Sequence, residues 1–145
     1  MTRINLVDPS ELTDQHLMAE WREIKMVPAA LRRSLRTQTI NTVVKKIPPQ
    51  FTLNKGHVTF FYNKIDYLKE RYKALTAELL KREFNLSDTN VEEIFDTDIP
   101  LVFKGTWNPK DRDYEIIRAR IAEKIAMKPH WYKYMRKPLA CKEMQ

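Results

Sequence analysis

Apolar positions recur along this 145-residue chain with a helical period, interrupted by irregular stretches. The clearest run is Phe61, Ile65, Leu68, Tyr72, Leu75 and Leu79, alternately four and three residues apart. That spacing lines one face of a helix with apolar side chains, and such a face packs into a core. Lys69, Arg71, Lys73, Lys81 and Arg82 fall mostly on the sides predicted to meet solvent. A first helical region is predicted over residues 10–36, with Leu17, Trp21 and Ile24 at i, i+4 and i+7. Ser10 or Thr13 can cap it, and Asp14 complements the helix dipole in the first turn. Pro28 is expected to bend or interrupt this region before Leu31 and Leu35. A third helix is predicted from about Asp111 to Met127, with Ile117, Ile121 and Ile125 inward and Pro129 as its stop.

The connections read differently. KKIPPQFTLNKGH is punctuated by Pro48, Pro49 and Gly56 and predicts a loose segment. Thr89 and Glu92 can form a capping box for a short helix ending near Phe95. DTDIPLVFKGTWNPKDRD predicts a long irregular connection, a feature that in small domains tends to carry function or motion. The expected fold is all-α: one compact domain over residues 1–145, three main helices joined by long irregular connections.

Composition sharpens this picture. Two glycines are far below the usual share of about 7%, and abundant Lys, Arg, Glu and Leu favour helix. A net charge of +7 makes a polyanion or an anionic membrane a plausible partner, although a basic surface alone names neither. No apolar run approaches the roughly 18 residues of a membrane span, and no apolar signal stretch opens the chain. Cys141, the sole cysteine, leaves no internal disulfide and suits a reducing cytoplasm. A soluble intracellular protein is expected.

Chemistry must come from few residues. Gly-rich phosphate loops, HExxH, CxxC and GxSxG are missing. His16, Glu20 and Glu23 share a helix face and could in principle hold a metal, but Glu and His co-occur on helices constantly, so a metal-free reading is better. No cofactor is expected. Residues 22–46 carry seven Lys or Arg, and residues 120–142 carry seven more against the single acid Glu123. Two such segments can converge into one cationic face that binds phosphates, with affinity falling as salt rises. Glu23, between Arg22 and Lys25, repels DNA and is costly there unless it serves chemistry. Its plainer reading is a solvated salt bridge to one of those two neighbours. Trp131, Tyr132 and Tyr134 can stack on bases or cover the core, and for Trp131 the core is the expected place.

At the N-terminus, Thr2 is small enough for removal of the initiator methionine to be expected. Its exposed α-amine would have a pKa near ~7.7 against ~10.4 for lysine, giving roughly 500-fold more neutral amine at neutral pH. An amine that forms a Schiff base with a sugar carbon must be neutral to attack. Alone, this signal is common to many chains.

Four segments combine into something more specific: TRINL at 2–6, DQHLMAEWRE at 14–23, GHVTFFYNK at 56–64 and ARIAEKIAMKPHWYKY at 119–134. In order and spacing they resemble the phage pyrimidine-dimer DNA glycosylases, which are also abasic-site lyases. The resemblance implies a compact helical enzyme, expected to be monomeric in the cytoplasm of an infected bacterium, acting on cyclobutane pyrimidine dimers in duplex DNA. It implies attack by the Thr2 amine on C1′ of the dimer's 5′ nucleotide, an imine, and strand scission by β-elimination, without metal or organic cofactor. By the same likeness Glu23 is the essential carboxylate, stabilising the cationic sugar and assisting proton transfer. Arg3, Gln15, Arg22, Arg120 and Lys124 match positions near DNA or the active site, and His16 one near the reaction centre. An adenine opposite the lesion is expected to flip into a protein pocket.

Departures are local. Lys25-Met26 stands where the better-known phage enzyme has Pro-Arg, and Lys25 offers a point charge in place of that arginine. Trp21 replaces a tyrosine, residues 26–55 diverge broadly, and the tail beyond Tyr134 matches poorly. Two other readings compete: a noncatalytic lesion-binding or DNA-bending protein on the same fold, and a helical interaction module. Thr2 and Glu23 together argue against the first, and the second leaves both as coincidence.

Overall fold

A computed structural model describes residues 3–87 and 90–138, and the chain adopts the all-α architecture that its apolar period predicts. Thr13 caps α1 (Asp14–Glu23), its hydroxyl accepting the His16 amide at 3.1 Å. Leu17, Trp21 and Ile24 are buried as expected. The break in this region comes one turn before Pro28, at Ile24–Lys25. The second helix, α2 (Met26–Thr37), takes Pro28 as its third residue. First-turn positions need no amide hydrogen, so the proline fits without a kink.

A six-residue helix, α3 (Ile40–Lys45), lies inside the segment predicted to be loose. Only Val43 of this helix is buried, too little apolar signal to set a period. The short α4 (His57–Phe60) leads through a 3-10 turn at Phe61–Asn63 into α5 (Ile65–Lys81). Gly56 is needed before α4 for space: a Cβ there would lie 2.8 Å from Pro48 Cγ. A short helix, α6 (Val91–Phe95), ends where predicted, but Asn90 supplies its cap by accepting the Glu93 amide at 3.1 Å. Thr89, the expected cap, lies outside the described residues. After an irregular connection holding one 3-10 turn, α7 (Asp111–Met127) has the predicted bounds, its start secured by Asp113 accepting the Lys110 amide at 2.9 Å. A two-residue antiparallel hairpin, β1 (Lys133–Tyr134) with β2 (Lys137–Pro138), follows.

The core sits where α1 lies against α5, closed at one end by Phe51, Phe60, Phe61, Tyr67 and Trp107 in edge and stacked contacts. The α5 stripe of Ile65, Leu68, Tyr72, Leu75 and Leu79 is buried as predicted. α7 departs from expectation. Ile117 is buried and Ile121 packs at the core's edge, but Ile125 is half-exposed, because the helix leaves the core as it advances.

A larger correction concerns Arg71 and Arg82, predicted on solvated sides but only 7% and 4% exposed. Arg71 donates to both oxygens of Glu20 at 2.7 and 3.0 Å, and to the carbonyls of Leu6 and Val7. Arg82 donates to Glu78 and Asp14 and to the carbonyls of Pro9, Ser10 and Leu12. Isolated buried charges are costly, but each of these guanidiniums is compensated by carboxylates and carbonyls. Eleven residues is close to three helical turns, so both arginines leave α5 toward the same N-terminal segment.

Candidate active site

Residues 3–7 are held from two sides. Ile4 is fully buried, and its amide donates to His57 Nε2 at 2.8 Å. Nε2 must therefore be bare, and the proton sits on Nδ1, which faces the Thr52 carbonyl at 2.9 Å. Phe51 and Phe61 pack on the same imidazole, and burial pushes its pKa down to about 4. On the other side, Arg71 grips the Leu6 and Val7 carbonyls. Leu6 has φ of 57°, a left-handed conformation unusual for a leucine.

This anchored segment forms one wall of a cleft of about 350 Å³. Arg3 and Asn5 come from the segment, and Arg3 also donates to the Leu53 carbonyl at 2.9 Å. His16, Ala19, Glu20 and Glu23 come from successive turns of α1, since positions three and four apart share a helix face. Arg120, Ile121 and Lys124 come from α7, and Tyr132 from the tail. Six residues singled out from sequence thus meet here: Arg3, His16, Glu23, Arg120, Lys124 and Tyr132. Thr2, the expected nucleophile, lies outside the described residues; its neighbour Arg3 lines the cleft.

Two carboxylates face this space with different roles. Glu20 gives both oxygens to Arg71, so its charge is neutralised internally. Glu23 is half-buried and, among the described residues, makes no ion pair with Arg22 or Lys25. The solvated salt bridge expected from sequence is absent because Arg22 is exposed away from the cleft and the Lys25 ammonium sits 5.2 Å from the Trp21 ring centre. Around Glu23 the cleft is cationic. Burial and the neighbouring Arg120 push the Arg3 pKa down, while Glu23 pulls it back up. A developing positive charge beside Glu23 would find a carboxylate ready, and phosphate oxygens would find Arg120 and Lys124.

His16 is held for a neutral role. Its Nδ1 shares a hydrogen bond with Thr13 Oγ1 at 2.7 Å, and its ring stacks on Tyr132 with centroids 4.7 Å apart. Burial, then the Lys124 charge, lower its pKa to about 4. Among the described residues no cluster of His, Cys, Asp and Glu could hold a metal.

Contacts along the tail fix the places of Gln15, Trp131 and Tyr134, and of these Trp131 departs from its expected place in the core. Gln15 lies outside the cleft and clips the tail backbone, donating to the Trp131 carbonyl at 2.6 Å and accepting the Lys133 amide at 2.9 Å. Asp14 accepts the amides of Met135 and Arg136. With its backbone fixed this way, Trp131 is 55% exposed instead of in the core, and its ring stands edge-on to the buried Tyr132. Tyr134 is structural: its hydroxyl donates to the Ser10 carbonyl at 2.6 Å and its ring underlies the Arg82 guanidinium. Arg32, one of the cations expected on the basic face, instead closes the end of α6 through the carbonyls of Glu93, Ile94 and Thr97.

On the other side of α1, Trp21 donates to Thr76 Oγ1 at 2.9 Å and stacks on Tyr72. Both aromatics border a second hollow of about 400 Å³ that reaches Leu80, Leu86 and Val91. Sequence reasoning missed Asn5, Ala19 and Ile121 as cleft residues. Ala19 and Ile121 carry no reactive group, and only their one-turn spacing from Glu23 and Lys124 marked them. No helix among the described residues is long and apolar enough to cross a membrane. A family model described as pyrimidine dimer DNA glycosylase matches residues 1–90, the span that contains the N-terminal segment, α1, His57 and Arg71.

Proposed function

The chain belongs to the pyrimidine dimer DNA glycosylase family, and we propose that it cleaves cyclobutane dimers in ultraviolet-damaged duplex DNA through its own N-terminal amine. With Met1 removed, the neutral Thr2 amine attacks C1′ of the dimer's 5′ nucleotide. The C1′–N bond breaks and its electrons leave with the base, which stays tethered to its 3′ partner. Loss of the amine proton and ring opening give an imine. Removal of a C2′ proton then expels the 3′ phosphate by β-elimination, so the same site nicks the strand.

The observation that carries this reading is Glu23, a carboxylate without an ion-pair partner among the described residues, in a cleft shared with Arg3, Arg120 and Lys124. Its charge stabilises the cationic sugar and receives protons, which gives a carboxylate reason to stand in a DNA-binding surface. His16, neutral at physiological pH, can accept or relay a proton beside it. Arg22 and Lys25 extend the cationic surface at the end of α1, and exposed Trp131 offers a ring for base stacking. The hollow beside Trp21, about 400 Å³ and bordered by the rings of Trp21 and Tyr72, suits the base opposite the lesion.

Borohydride tests the chemistry directly. Incubated with Met-free protein, a dimer-containing duplex should give a stable protein–DNA adduct and an undamaged duplex none. Glu23→Gln should still bind the damaged duplex while base release falls by at least about 100-fold. Tight lesion binding without any adduct would favour the noncatalytic DNA-bending reading instead.

A further inference from the structure

Arg71 reaches the N-terminal segment and α1 with one planar group. Nε and Nη2 occupy both oxygens of Glu20, at 2.7 and 3.0 Å, while Nη1 donates to the Leu6 carbonyl at 3.0 Å and to the Val7 carbonyl. Those two carbonyls lie within and just after a tight turn: the Val7 amide folds back on the Asn5 carbonyl, and Leu6, at the centre of the turn, is left-handed. Convergence of both oxygens on one buried nitrogen offsets the cost of that backbone. Filling space would require only an apolar side chain of similar volume. A guanidinium with one edge on a carboxylate and the other on successive carbonyls fixes direction as well.

The carboxylate end of this link matters for the cleft. Glu20 and Glu23 lie three residues apart on one face of α1, so the turn that carries Glu23 is the turn gripped by Arg71. Residues 3–5 leave the Leu6 turn and enter the same cleft, where Arg3 and Asn5 line the wall. The second anchor, His57 at the Ile4 amide, does not involve α1. We infer that Arg71, seated on Glu20, is a positioning residue that fixes residues 3–5, which lead to the proposed nucleophile, against the turn of α1 that carries Glu23. This inference rests on the amine chemistry proposed above. It makes the Arg71–Glu20 pair a determinant of turnover rather than of DNA affinity.

A double variant, Glu20→Leu with Arg71→Met, removes both charges together and leaves no unpaired buried ion, so folding should survive. Single-turnover borohydride trapping on abasic-site and dimer duplexes is then compared with damaged-duplex affinity and thermal midpoint. The expected result is unchanged affinity with trapping about 100-fold slower, the scale of a misplaced reacting group. Arg71→Lys, which keeps the charge opposite Glu20 but not the fork, should lower kcat with KM unchanged and serves if the double variant does not fold. Lys69→Met, which breaks the 2.7 Å pair with Asp96 on the same helix, controls for lost stability and should leave trapping intact. Wild-type trapping rates in the Arg71 variants, or an equal loss in Lys69→Met, overturn the positioning role alone. Absence of any adduct from wild-type protein overturns the amine chemistry, and the positioning role with it.

Discussion

α5 and α7 are each 17 residues long and each carries four Lys or Arg, yet only α5 and its C-terminal cap send arginines into the interior. On α5, Arg71 turns inward, and Arg82 just past its end does the same. On α7 only Asp113 and Ile117 are buried, and Arg120 and Lys124 face the cleft. Charge does not explain this difference. The N-terminal segment runs along α5 and brings it five carbonyl oxygens, from Leu6, Val7, Pro9, Ser10 and Leu12. No carbonyls converge on the cations of α7 among the described residues: Arg112, Arg118 and Arg120 pair with Asp113, Glu11 and Glu123, and Arg120 and Lys124 line the cleft, where an anionic ligand can reach them.

The comparison can be broken most forcefully at Arg82. Arg82→Met leaves Glu78 and Asp14 without their buried partner and should destabilise the protein by about 3–5 kcal/mol in chemical denaturation. A loss no larger than that of a surface cation would put Arg82 in the same class as Arg120. Acid probes the same anchored segment through His57. Its folded pKa of about 4 lies below the ordinary 6.5, so its contribution is complete above pH 6.5 and is lost as pH falls toward 4. The loss should reach about 3 kcal/mol, because only the unfolded chain takes up the proton over that window. His16 acts in the same direction. Urea denaturation between pH 7 and 4 should show the decline, and His57→Gln should flatten it. The smallest stability effect is expected on α7. Arg120→Ala and Lys124→Ala should each shift stability by no more than about 0.5 kcal/mol. Each should also reduce the slope of log affinity against log salt for duplex DNA by about 0.9. An unchanged slope would remove that residue from the DNA surface.

Much of this was legible in advance where a local pattern repeats. The bounds of α7 and the buried stripe of α5 follow from spacing and from stop signals such as Pro129. The end of α6 near Phe95 was equally readable, and so was Thr13 as a cap. α3 was not, because one buried valine leaves no period. Pro28 misled because a proline signals a break without stating whether it ends one helix or opens the next. Within the cleft, His16, Glu23, Arg120 and Lys124 could be paired along their own helices by one-turn spacing. Their meeting with Arg3 and Tyr132 spans more than a hundred residues of chain, and no local pattern encodes it.

The sequence by itself therefore determined the helices, the all-α class and the residue types available for chemistry, since these depend on neighbours within one or two turns. Only the tertiary structure decided which charges are internal. Arg71 and Arg82 became struts because distant carbonyls and carboxylates compensate their desolvation. Trp131 became exposed because Gln15 and Asp14 fix the tail backbone around it. Glu23 came to face a cationic cleft because α7 and the N-terminal segment converge there, and a carboxylate's role depends on the charges that surround it in space.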